Sequence, residues 1–499
     1  MKGVLVATQV ATQAAILAGL LLSASAPAQT VDRFEGVELL RHTALSGGEV
    51  LRLIRNDKLD LVLPGAMRDN GVDMWIHVTR QGDRDPMAVQ FGETYGYLVF
   101  TDRGDRIERA VFGGAGAVEK IDVRGSAKIA RALSSYDAGY RLAEGYGDEV
   151  YEEFRKFVEE RDPKTIAINT SDWLAVADGM SHSSYEKLIR ILGSKYSARI
   201  VSAEKVITDF VVRRTAREVA AQITTLEISH QIATEALTRI RPGQTTIREI
   251  TSWAMEEAFK RGVGEYRTWS PGGVRLYYSE KGKPTTQPNS RWWIVHGDYV
   301  FQPGDFLALN IGVNYLDFGT DTKTHAYILR EGEGTAPKSI QQAFDNAIRG
   351  QWIMRKAIKV GMTGGEALAA VVAAMEKEGY VYTPFKNSSV GAEGSTAADE
   401  DYLIIQRAMA KSDKPGFYVD HHSFGNTGVV GPSLSSFRPD VHHLRIQENH
   451  IFAFEYAVHT NLPERPGLPI SINVSNPQLV TSKGVEFIQP PNERITLIR

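Results

Sequence analysis

The chain has 499 residues, a formal net charge of −3 and an apolar share of 42 %. That length admits more than one packed core, and the balanced charge argues against a nucleic-acid face or an acidic tail. The lack of cysteine excludes disulfides, thiol nucleophiles and thiolate metal sites.

In chain order, Lys2 precedes an apolar stretch that is strongest from Ala14 to Leu22, and Ala26-Pro27-Ala28 follows with the small-x-small pattern of a signal-peptidase site. Residues 1–28 are therefore expected to be a signal peptide cleaved near Ala28–Gln29, with export to the periplasm or the medium. A retained membrane anchor is the competing expectation. The run is short for a span, and Thr8, Gln9, Thr12 and Gln13 interrupt it. No later stretch is long and apolar enough to cross a bilayer.

Residues 29–210 mix short β-rich runs with helices, which predicts an α/β domain. Leu59-Asp60-Leu61-Val62-Leu63, Tyr97–Phe100 and Thr165–Ile168 read as strands, and Ser184–Leu192 as a helix ended by Gly193. From residue 211 the pattern changes. Val219, Ile223, Leu226, His230, Ala233 and Leu237 recur at helical spacing, with His230 expected in the core, and Pro242-Gly243 stops the helix. Thr246 and Glu249 make a capping box for the next helix. The passage repeats at Gly361, with Thr363 and Glu366 capping a helix through Met375. Between the two, Pro303–Leu329 reads as a strand leaving a Gly304-Asp305 turn and a second strand near Asp321. Phe385–Lys414, with Gly391 and Gly394, reads as a long loop. Trp292-Trp293 and Tyr277-Tyr278 suit a pocket lining, a core or a dimer contact, and His442-His443 and His450 a surface connection. There is no phosphate-binding glycine loop and no Gly-x-Ser-x-Gly elbow.

Asn310 and Asp321 stand eleven positions apart in this strand pair. The frame resembles the Asp-x10-Asp signature of the pita-bread peptidases: aminopeptidase P, prolidase, methionine aminopeptidase and metal-free creatinase. Other segments resemble the same family. Arg213-Arg214-Thr215-Ala216-Arg217-Glu218 is similar to its entry into the catalytic domain, His421–Gly428 to its histidine stretch, Ile451–Glu455 to its first glutamate strand, and Leu479–Gly484 to the ending after its last glutamate. The resemblance implies an α+β chain. It would carry a creatinase/aminopeptidase-like pita-bread domain over 211–499 behind the α/β N-terminal domain, and it would have a tendency to form homodimers.

Carried over by residue, the five metal-binding positions of that family fall on Asn310, Asp321, Asn426, Glu455 and Ser475. Three of the five are changed, which removes two negative charges and the imidazole. The resemblance therefore implies that no cofactor is bound. A divalent pair (Mn, Co or Zn) is expected only under a different ligand assignment. The later catalytic histidine of the family falls on Ser433. What remains for chemistry is Asp321 with Glu455, and His296, His421 or His422, with Asp420 able to orient an imidazole. Two neighbouring carboxylates without a metal should repel, raising one pKa. A rebuilt single-metal set of Asp321, His325, Glu455 and His421 is a further possibility. Three functions follow as expectations. The first is metal-independent cleavage of a C–N bond in a small amino-acid derivative or short peptide. The second is a non-catalytic pseudopeptidase that binds a peptide or protein. The third is a metal-dependent Xaa-Pro aminopeptidase with unusual ligands. None involves nucleic acid, or a membrane once the signal is cleaved.

Overall fold

The computed structural model describes residues 47–80, 85–91, 96–114, 129–133, 148–265, 273–278, 297–384, 404–427 and 430–499. The expected signal segment 1–28, His296, Trp292-Trp293 and residues 385–403 lie outside the described residues.

The amino-terminal part is built on a six-stranded sheet. Its order is Ile129–Leu133, Ile107–Gly114, Gly96–Asp102, Met74–Thr79, Ile166–Ile168, Ile200–Ser202. Met74–Thr79 is buried on both faces and pairs antiparallel with Gly96–Asp102 and parallel with Ile166–Ile168. Side chains alternate across it. Trp75 meets Phe91, Phe100 and Phe210 on one face, while Met74 and Ile76 join Tyr97, Phe112 and Phe154 on the other. Helices Asp148–Arg161 and His182–Ser197 cover that second face, and Gly193 breaks the latter with a φ of 66°.

The expected strand Leu59–Leu63 is instead helical. A π turn, Lys58–Val62, runs into helix Leu63–Asp69. Leu59, Val62, Leu63, Ala66 and Met67 are buried at helical spacing, and Leu61, which a strand would place beside Leu59 and Leu63, is 54 % exposed.

The carboxy-terminal part packs two helix pairs against two mainly antiparallel sheets, each with one parallel edge strand, Thr496–Ile498 in the first and Val381–Tyr382 in the second. Ala216–Thr238 and Ile247–Lys260 lie on the sheet Thr496–Ile498, Lys323–Ile328, Phe306–Asn310, Gly273–Tyr278. Lys338–Ala357 and Gly364–Lys377 lie on Val381–Tyr382, Gly416–Val419, Tyr456–Thr460, Ile470–Val474. The capping boxes at Thr246/Glu249 and Thr363/Glu366 both form, as does a third at Thr215/Glu218. Another four-stranded sheet (His422–Ser423, Ile451–Ala453, Pro477–Thr481, Gly484–Phe487) carries the remaining site segments.

Three expectations need correction here. His230 is exposed, because the buried stripe of its helix runs through Leu226, Ser229, Ala233 and Leu237, rotated from the predicted face. Residues 404–409 of the expected loop are helical, anchored by buried Ile405 and Met409. His450 is fully buried, its ring 4.3 Å from that of Phe452. Tyr277 belongs to the core and donates to the carbonyl of Asn473. No helix among the described residues is long and apolar enough to cross a membrane.

Candidate active site

Asp321 precedes the strand Lys323–Ile328, and strand alternation puts residues two apart on the same face. Lys323 thus shares a face with Asp321. It also sits directly across from Asn310 in the antiparallel register. Glu455 follows the strand Ile451–Ala453, and His422 pairs with Ala453 in the neighbouring strand. These elements converge on a compact ionic cluster.

Its centre is the Lys323 ammonium. Nζ donates to Asp321 Oδ1 at 2.7 Å and to Glu455 Oε1 at 3.1 Å, and all three side chains are buried. The other oxygen of Glu455, Oε2, lies 3.7 Å from His422 Nε2. The other oxygen of Asp321, Oδ2, accepts from Ser475 Oγ at 3.2 Å, and the same hydroxyl reaches the Asp321 carbonyl at 2.8 Å. Two carboxylates thus face two cationic groups.

The paired histidines behave oppositely. His421 is buried and stacks on Phe454 at 3.7 Å, and its Nδ1–H donates to the Glu455 carbonyl at 2.8 Å. Burial pushes its pKa down to about 3, so its ring is neutral. Burial would lower the pKa of His422 as well. The Glu455 carboxylate, with Asp420 and Asp321 behind it, outweighs that and lifts it to about 9. His422 Nδ1–H is held by the Ser423 carbonyl at 3.0 Å, which aims Nε2 at Glu455.

The structure therefore brings together Asp321, Glu455 and His422, and leaves His421 in the aromatic core. Asp420 engages Ser435 Oγ, whose own neighbour Ser433 donates to the His421 carbonyl. The suggested single-metal set with His325 and His421 does not form. His325 Nε2–H donates to the Asn473 carbonyl at 3.0 Å, and its ring stacks on Tyr277 and Phe306. The group that converges is Asp321, His422 and Glu455, whose ligand atoms lie within 4.8 Å of one another. The expected carboxylate repulsion is also corrected, because Lys323 stands between the two acids. Sequence reasoning missed Lys323. Its signal was a lysine two positions past Asp321 in an otherwise β-rich strand.

The replaced position Asn426 is occupied by protein contacts. Asn426 Oδ1 accepts from Arg214 Nη1 at 2.7 Å and from Gln90 Nε2 at 3.0 Å. Gln90 comes from the amino-terminal part. Arg214 also donates to the Phe424 carbonyl and to Glu218, which pairs with buried Lys58 at 3.3 Å. Gly425 bends the chain here at a φ of 147°, and a Cβ on it would overlap the Arg214 guanidinium. A groove of about 430 Å³ beside helix Gly364–Lys377, lined by Leu368, Val372 and Tyr382, contains none of these groups.

The donor chemistry does not fit a pair of divalent cations. Position 310 offers an amide, Asn426 is saturated by cationic and amide donors, Ser475 is fastened to Asp321, and an ammonium lies between the two surviving carboxylates.

The family model for metallopeptidase family M24 matches residues 222–481. Among solved structures, the X-Pro aminopeptidase of Thermotoga maritima MSB8 is 16 % identical with a TM-score of 0.54, covering 87 % of this chain and 100 % of that one. The dipeptidase PepE of Mycobacterium ulcerans is 14 % identical with a TM-score of 0.53, covering 90 % and 98 %. The Xaa-Pro dipeptidase of Bacillus anthracis is 14 % identical with a TM-score of 0.51, covering 90 % and 100 %. No curated protein matches. At this identity the likeness establishes the fold, the α+β pita-bread architecture.

Proposed function

The chain belongs to metallopeptidase family M24, and we propose that within it the protein is a hydrolase that cleaves a C–N bond of a short peptide or small amino-acid derivative without a metal. The observation that carries this reading is the Lys323 ammonium between Asp321 and Glu455, where it supplies positive charge beside the two surviving acids.

The arrangement supports a division of labour. His422 is protonated and is the least buried member of the cluster, so it faces an entering substrate and gives its Nε2 proton to the leaving nitrogen. A water attacks the carbonyl carbon as that C–N bond breaks, and Glu455 takes the water's proton. Passing that proton from Glu455 Oε2 back to His422 Nε2, 3.7 Å away, resets both groups. Lys323 stabilises negative charge that develops on the carbonyl oxygen. Ser475 fixes Asp321, and Asp321 fixes Lys323.

The test is hydrolysis of Xaa-Pro dipeptides and N-substituted amino acids by protein purified in excess chelator, alongside elemental analysis. Turnover should persist in chelator, and His422→Ala should lower kcat by roughly 10²–10⁴. Activity that needs added Mn, Co or Zn would overturn the reading. A second reading, a non-catalytic binder of peptides, is favoured by the mutual pairing of the charges in the cluster. It is the conclusion if no substrate is turned over while a peptide still binds. Export after cleavage of residues 1–28 and homodimerisation complete the proposal. The mass of the mature chain and its sedimentation check them.

A further inference from the structure

We infer that Lys323 is a built-in competitor for a single divalent-cation site made by Asp321, Glu455 and His422, and that removing its ammonium opens that site to zinc, manganese or cobalt. The inference rests on the metal-free reading above and extends it, because it names the group that keeps the metal out.

The ligands are already oriented. One ligand atom from each of Asp321, Glu455 and His422 lies within 4.8 Å of the others, a mixed oxygen and imidazole set of the kind borderline divalent ions accept. The supporting contacts that a metal site requires are also in place. The Ser423 carbonyl takes the Nδ1 proton of His422, which leaves Nε2 as the ligand atom when the ring is neutral. Ser475 Oγ holds Asp321 through Oδ2, so Oδ1 is the oxygen that Lys323 occupies.

Lys323 binds the same two carboxylates that a cation would use, at 2.7 and 3.1 Å. An ammonium and a divalent ion cannot share those oxygens at such distances, so binding one requires displacing the other. The lysine is covalently tethered and buried, so its effective concentration at the site far exceeds that of free metal. Asn310 lies across the strand pair from Lys323 and adds no negative charge that could hold a second ion.

The experiment titrates zinc, manganese and cobalt chloride, each alone, into wild type, Lys323→Met, Lys323→Arg and Lys323→Met/Glu455→Gln. Calorimetry, bound metal after desalting and the visible spectrum of bound cobalt are the readouts. Wild type and Lys323→Arg should retain no metal. Lys323→Met should hold one ion per chain, about 100-fold tighter than wild type, and the double variant should lose it. A folded Lys323→Met that binds no better than wild type overturns the inference. If Lys323→Met does not fold alone, refolding yield with and without zinc decides: rescue by metal supports the site, and no rescue overturns it. Metal retained by wild type would instead sink the metal-free reading, whatever the variants do.

Discussion

Lys323→Met, measured for stability rather than for metal, tests the ionic cluster most directly. Methionine matches the length of the lysine stem, so little cavity forms and the main change is the lost charge. Asp321 and Glu455 are 2 % and 5 % exposed, which leaves them little access to water once the ammonium is gone. Breaking a buried ion pair from one side costs about 3–5 kcal/mol, because the remaining charge is uncompensated. Neutralising the whole cluster is far cheaper. The triple variant Lys323→Met/Asp321→Asn/Glu455→Gln should lose under about 2 kcal/mol, since amides of similar shape can keep hydrogen bonds such as that from Ser475. Urea denaturation in chelator, followed by circular dichroism, reads the difference. With a slope of about 3 kcal/mol/M, the single variant should lower the midpoint by roughly 1–2 M, and the triple should recover at least about a third of that. If single and triple variants lose stability equally, or the single loses less than about 1 kcal/mol, then Lys323 does not hold the two acids together.

Other outcomes follow from the same geometry. Burial holds the pKa of His450 down at about 3, below the ordinary 6.5, so the unfolded chain takes up a proton that the folded chain refuses. The associated stability is complete above pH 6.5 and is lost as pH falls toward 3. At pH 5 that loss is about 2 kcal/mol, and His450→Gln should flatten the pH dependence of unfolding by that amount. Gly425→Ala should cost more than about 2 kcal/mol, because it forces a strained φ and displaces buried Arg214 from Asn426; a smaller loss by thermal melting would argue that the loop relaxes freely. Thr246→Ala removes one exposed capping box and should cost about 1 kcal/mol, with activity unchanged in the dipeptide assay.

Much of this was legible in the residues. The capping boxes at Thr246 and Thr363 are local patterns, and they formed where the spacing put them. The frames around Asp321 and Glu455 led to two side chains that do meet, bridged by Lys323. Lysine is read by default as a solvated residue, so its role depended on knowing that two acids flank it, one of them 132 positions away. The choice between His421 and His422 had the same character. Adjacent strand residues face opposite sides, and only the position of Phe454 and Glu455 decides which ring enters the core. At Leu59–Leu63 an apolar alternation suited a strand, but the longer stripe through Met67 obeyed a helical period that a five-residue window could not contain.

The contacts around Arg214 bear on how the two halves can be inherited. Lys58 reaches from the amino-terminal half to the carbonyl of Arg213 at 2.6 Å and to Glu218, while Gln90 reaches Asn426. Substitution of Glu218 by a neutral residue would leave buried Lys58 without its acid, and loss of Lys58 would leave Glu218 with Arg214 as its cationic partner. Sequence drift at Lys58 or Gln90 is constrained by residues more than a hundred positions away, in a part of the chain that a comparison of the amino-terminal halves alone would never include.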